Sequence, residues 1–182
     1  MNRYLALLRG INVNGKNIIK MESLRTLMEN NGFKSVKTYI QSGNVVFESD
    51  EKSKDKLRNN LEGLIKNEYG FDITVFIINK TELEKSIDDN PFAEGREEES
   101  AGFKKLYVTF LSDVPSSENI EKLLQAPIGN DQIEVIGDIL YFNLESKASD
   151  SKLSNNLIET KLKLKATTRN WNTTLKLLSM ME

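Results

Sequence analysis

The 182-residue chain contains no histidine and no cysteine. The first absence removes imidazole as general acid, base or metal ligand. The second removes disulfides, thiolate zinc sites and Cys nucleophiles. Any chemistry must then run on carboxylates, Lys, Arg, Tyr, Ser or Thr, or on a metal held by oxygen. Prolines number 3 and glycines 10, too few for a low-complexity chain. No apolar run approaches the roughly 18 residues of a membrane-spanning helix. The apolar stretch after Arg3 is closed by Arg9, so no secretory signal is expected. Neither sign of charge dominates: 25 Lys and Arg against 27 Asp and Glu leave a net charge of −2. That balance gives no global pull toward nucleic acid or an anionic membrane. The expectation is a cytoplasmic protein with no membrane partner, long enough for one good core or two small ones.

What is present is a repeated order of elements. Tyr4 to Leu8 is a continuous apolar run suited to a central strand. Met21, Leu24, Leu27 and Met28 fall at helical spacing, and Asn31-Gly32 stops that helix. Val36 to Ile40 and Val45 to Phe47 read as strands joined through Ser42-Gly43. Leu57, Leu61, Leu64 and Ile65 mark a second helix, and Ile73 to Ile78 a further strand. The order is β-α-β-β-α-β. Thr81-Glu82-Leu83-Glu84 has the pattern of a capping box opening a short extra helix, which Asn90-Pro91 ends. Glu94 to Ser100 reads as an acidic, solvated linker.

The order then recurs. Leu106 to Leu111 is a strand, and Pro115-Ser116 opens a helix carrying Ile120, Leu123 and Leu124. Ile133 to Ile136 and Ile139 to Leu144 flank Gly137-Asp138, a hairpin signal of the Gly-first kind. Leu153, Leu157, Ile158 and Leu162 mark a helix, Ala166 to Thr168 a short closing strand, and Trp171, Leu175 and Leu178 one face of a last helix. The predicted class is α+β, with two ferredoxin-like βαββαβ subdomains in tandem, each followed by an extra helix. Their bounds are 1–92 and 103–182, with an acidic linker at 93–102.

Several of these stretches together resemble one bacterial family. They are Leu7 to Val13, Gly15-Lys16-Asn17, Thr38 to Phe47, Asn90-Pro91-Phe92 and Thr168 to Thr173. The chain is identified on them as a member of the domain-of-unknown-function 1697 family, over essentially its whole length. The resemblance implies two ferredoxin-like α+β subdomains and carries no activity and no catalytic residues. Asn14 stands where members often have Gly, and Asn tolerates the left-handed backbone that Gly would take.

Three polar motifs are candidates for a site. In the first, Gly10-x4-Gly15-Lys16 has the spacing of a phosphate loop, but Asn17 replaces the Ser or Thr that would hold Mg²⁺. Asn17-Ile18-Ile19 also separate Lys16 from the helical pattern, so the NTPase reading fails. Arg9, Asn12, Lys16 and Asn17 still offer donors to a phosphate or carboxylate on a loop that Gly15 lets turn. The plainer reading is that the glycines make turns while Asn12 and Asn17 cap backbone groups. The second motif, Gln41-Ser42-Gly43-Asn44, is either part of that site or simple hairpin chemistry. In the third, Arg169 would reach an anion and Trp171 stack on a ring, or else Asn170 or Asn172 caps a helix that Trp171 anchors. Brought together, the three would line one polar cleft across both subdomains.

The favoured function is binding of a small anionic ligand at the Arg9–Asn17 loop. The alternatives are an RNA-binding module, disfavoured by the acidic charge and the lack of an RNP1 pattern, and a protein-interaction module. No metal site, cofactor or catalytic residue is nominated.

Overall fold

The computed structural model describes residues 1–94 and 105–182. Contacts divide the chain into two compact units, Met1–Glu84 with Leu177–Glu182, and Lys85–Lys176. Among the described residues there are two four-stranded antiparallel sheets and six helices, an α+β protein as the sequence predicts.

The first unit is built on β1 (Asn2–Leu8), whose residues Tyr4 to Leu8 are buried on both faces. α1 (Met21–Asn30) follows and buries Met21, Leu24 and Met28 along one stripe. Asn31 caps its end, and Gly32 takes the left-handed conformation (φ +91) that an L side chain resists. β2 (Lys34–Tyr39) and β3 (Asn44–Ser49) form the hairpin. α2 (Lys54–Tyr69) starts at Ser53, whose hydroxyl accepts from Lys56 N, and stops at left-handed Gly70. β4 (Val75–Asn79) completes the sheet, in the order β2-β3-β1-β4. One sheet face, with Ala6, Leu8, Val45 and Phe47, packs with Leu24, Leu61 and Ile65 of the helices in a single core.

Three expectations shift here. The first hairpin strand ends at Tyr39, because Ile40 turns to φ +48 and leaves the sheet. The fourth strand begins at Val75 rather than Ile73. The capping box exists but sits two residues earlier than Thr81–Glu84. Asn79 Oδ1 accepts from Glu82 N (2.9 Å) and Glu82 Oε2 accepts from Asn79 N (2.9 Å). Strand β4 passes straight into α3 (Lys80–Asp88), so its last residue is the cap.

The second unit repeats the order. β5 (Leu106–Leu111) is central, between β7 (Ile139–Asn143) and β8 (Ala166–Asn170), with β6 (Gln132–Ile136) on the outer edge. Ile136 pairs with Ile139 across Gly137-Asp138, and only Gly137 of the two has positive φ (+61). That is the Gly-first turn predicted. α4 (Ser117–Leu124) is capped by Ser116 and buries Leu123, whereas Leu124 is exposed. α5 (Asn155–Leu162) is capped by Ser154, and Leu153 just before it shares the core with Ile158 and Leu162, a hydrophobic staple. The opposite sheet face holds Tyr141 and Arg169, aligned through Val108, their common register partner on β5. Tyr141 donates to Ser86 O (2.8 Å), and burial, aided by Asp89 and Asp138, pushes its phenol well above the usual range. β8 outruns the Ala166–Thr168 expectation by two residues, and α6 (Trp171–Met180) begins at once. Most of the acidic linker at 93–102 falls outside the described residues.

Candidate functional site

The chain leaves β1 pinned on both sides. Leu8 N donates to Gly43 O (2.8 Å) and Arg9 N to Thr74 O (2.9 Å). The next eight residues contain five left-handed positions: Gly10 (+68), Asn12 (+53), Asn14 (+50), Gly15 (+72) and Asn17 (+48). Glycine takes this conformation without strain, and Asn is among the few other residues that tolerate it. Lys16 N donates to Val13 O (2.9 Å) across Asn14-Gly15, both at positive φ. This is a type I′ turn, for which Asn-Gly is the strongest sequence signal.

The asparagines hold the loop in shape. Asn12 Nδ2 donates to Ile19 O (2.9 Å) and to Gln41 O (2.8 Å), and its Oδ1 accepts from Ile19 N (2.9 Å). Asn17 Nδ2 donates to Gly10 O (3.0 Å), and Asn12 N to Asn17 O (3.2 Å). Asn12 therefore closes the loop and clips it to the hairpin tip. At that tip Asn44 is fully buried, donating to Tyr39 O (3.0 Å) and Ser42 Oγ (2.9 Å). Gly43 (φ +79) lies so close to the loop that a Cβ there would stand 2.8 Å from Leu8 Cβ and 2.9 Å from Ile11 Cδ1. The first two motifs are thus one structure.

Their amides, however, are engaged inside it. Asn12, Asn17 and Asn44 satisfy backbone groups, Gly15 serves the turn, and Ser42 accepts from Asn44. Arg9 is half-buried. Lys16 and Gln41 remain exposed. The phosphate-loop geometry is absent, since the helix would start at Lys16 there and α1 starts at Met21.

Two features of this end of the unit escaped sequence reading. Val13 (52%), Ile18 (56%) and Ile40 (49%) are exposed apolar side chains on the two clipped segments. The two stretches of chain that carry them hold charge of one sign only. Residues 1–21 and 30–47 contain Arg3, Arg9, Lys16, Lys20, Lys34 and Lys37 and no carboxylate. Arg3 is neutralised by Glu48 (2.7 Å). Asp72 meets Lys66 at 2.7 Å and Glu22 meets Arg25 at 4.0 Å. Among the described residues, Lys16, Lys20, Lys34 and Lys37 make no ion pair. The available signal was this local bias, hidden by the chain's balanced total.

The third motif lies in the second unit. Arg169 occupies strand β8, not a helix start, and is 7% exposed. Its Nη1 donates to Thr167 Oγ1 (2.9 Å) and Thr168 O (2.8 Å). Burial pushes its pKa down to about 10, which for a guanidinium marks a desolvated cation rather than a titrating base. Asn170 Oδ1 accepts from Thr173 N (3.0 Å) and so caps α6. Trp171, its first residue, is 3% exposed. Of the two readings of this motif, Asn170 and Trp171 follow the structural one. No group of three or more Asp or Glu among the described residues is placed to hold a metal ion. No helix among them is long and apolar enough to cross a membrane.

Comparison with known proteins gives a family without an activity. No curated protein matches the chain. Among solved structures it is similar to that of the conserved bacterial protein SP0830 from Streptococcus pneumoniae, with 25% identity and a TM-score of 0.77 over 100% of this chain and 99% of that one. The profile of a family described as a protein of unknown function, DUF1697, matches residues 1–141. The chain belongs to that family.

Proposed function

We propose that the protein is a binding module that engages an anionic group through the Arg9–Lys20 loop and the hairpin tip at residues 40–43, with Lys16 supplying the exposed charge. One observation carries the reading: Lys16 is held on a braced type I′ turn, exposed and, among the described residues, without an ion pair, in a stretch with no carboxylate from residue 1 to residue 21. A fixed cation loses little conformational freedom on meeting an anion, so more of the contact energy appears as affinity. Asn12, Asn17 and Asn44 act as braces in this reading and Gln41 is a rim donor. Arg169, Asn170 and Trp171 are left out of it. Nucleic acid is not the favoured ligand, because the exposed apolar side chains beside Lys16 are aliphatic and the net charge of −2 gives no general pull toward phosphates.

The reading takes each unit as ferredoxin-like. In its support, both have the order β-α-β-β-α-β with an extra helix after it, and the strand orders β2-β3-β1-β4 and β6-β7-β5-β8 are equivalent. It keeps the sequence bounds 1–92 and 103–182 for the two subdomains, and a cytoplasmic setting.

The test is thermal unfolding against phosphate, carboxylate and nucleotide anions and oligoglutamate. A ligand at about 100 times its dissociation constant adds about 2.7 kcal/mol. The expected result is a shift with an anion that vanishes in Lys16→Ala while the unliganded midpoint holds. No shift with any anion, or one unchanged in Lys16→Ala, contradicts the proposal.

A further inference from the structure

We infer that the occupant of the clipped loop and hairpin tip is a protein segment carrying both acidic and aliphatic side chains, an inference that rests on the binding reading above and names its partner. Two properties are paired on the segments that Asn12 clips together. Val13, Ile18 and Ile40 are each about half exposed, on segments that Asn12 ties together by its bonds to Ile19 O and Gln41 O. They account for three of the seven exposed large apolar side chains among the described residues. Lys16 and Lys20 alternate with them along the loop, and no carboxylate intervenes from residue 1 to residue 21.

A small inorganic anion would use the lysines and leave the aliphatic side chains in water. RNA would satisfy the charge, but the half-exposed apolar side chains beside the lysines are β-branched aliphatics, which are poor stacking platforms. A peptide with Asp or Glu beside Leu or Phe uses both, the carboxylates meeting Lys16 and Lys20 while the apolar groups cover Val13, Ile18 and Ile40. The partner binds through side chains rather than as an added strand. The outer edge of β2 is unsuited to strand addition, since Ser35 has φ +50 and the register shifts between Lys34 and Lys37.

The experiment titrates the whole protein with four probes: a peptide alternating Glu and Leu, oligoglutamate, oligouridylate, and phosphatidylserine vesicles. Wild type is compared with Lys16→Ala and with the double variant Ile18→Ser/Ile40→Ser. All the substituted side chains are exposed, and unfolding midpoints verify that each variant is folded. The mixed peptide should bind most tightly, and the double variant should reduce its affinity about tenfold or more, to the level of oligoglutamate. Lys16→Ala should weaken both peptides. Equal binding of the two peptides, unchanged in the double variant but lost in Lys16→Ala, overturns the aliphatic partner and leaves the anion reading standing. Binding only of oligouridylate or of vesicles overturns the protein partner. No Lys16-dependent binding of any probe overturns both.

Discussion

The Arg9–Lys20 loop and the β8–α6 junction look alike as sequence: each is a short run of Arg, Asn and small polar residues beside a strand. The structure uses them in opposite ways. At the junction, Arg169 and Trp171 are buried and Asn170 caps a helix. In the loop, the asparagines are also spent on backbone groups, yet that bracing holds Lys16, Val13 and Ile18 out in solvent. Asparagine in both places is scaffolding. What differs is whether the charged and apolar neighbours end inside or outside.

If the junction is architecture, its largest member should matter most. Trp171→Ala is expected to cost about 4 kcal/mol in denaturant unfolding, the scale for emptying a buried aromatic site. A loss below about 1 kcal/mol would show that the indole is not an anchor and would reopen the stacking role. In the loop, the closest approach is at Gly43. Gly43→Ala combines a left-handed strain with a Cβ at 2.8 Å from Leu8 Cβ, and should cost about 3 kcal/mol. A near-neutral result would mean that hairpin tip and loop are not pressed together. Asn170→Ala removes one cap and should cost about 1 kcal/mol, with Asn170→Asp or Asn170→Ser restoring most of it.

The smallest effect concerns acid, and it separates the two ends of the first sheet. At the end away from the loop, the Arg3 guanidinium and then the Ser35 hydroxyl hold the Glu48 carboxyl below its ordinary 4.5. A depressed folded pKa means stability that is present above the unfolded value and lost as pH falls through the folded one. Glu48→Gln should flatten part of the acid limb of a stability–pH curve. An unchanged limb would show that the pair contributes nothing.

Much of the order of elements was legible in the sequence. Period and punctuation were enough for the elements, because Leu57, Leu61 and Ile65 or Gly32 and Gly137 leave a helix or turn little choice. Boundaries moved where the signal was a single residue. Ile40 reads as strand by type but is turned out of the sheet at φ +48, and the capping-box pattern at Thr81–Glu84 lies two residues beyond Asn79, the cap that α3 uses. The site was less legible for a physical reason. An Asn side chain has the same donors whether it faces a ligand or a backbone carbonyl, and only folding brings Gln41 O to Asn12 Nδ2. Exposure is equally hidden, since Val13 and Ile40 are the same residue types as the buried Val36 and Ile65. The absence of carboxylates from residues 1–21 and 30–47 was visible, and the chain's near-zero total masked it.

The most direct test of this division of labour is the unfolding free energy of Asn12→Ala beside that of Lys16→Ala. Asn12 makes three side-chain hydrogen bonds from a left-handed backbone, so its loss should cost about 3 kcal/mol. Lys16 is exposed and makes no ion pair among the described residues, so its loss should stay within about 0.5 kcal/mol. A tolerated Asn12→Ala, or a Lys16→Ala that unfolds the protein, would contradict the account of a braced loop presenting a cation.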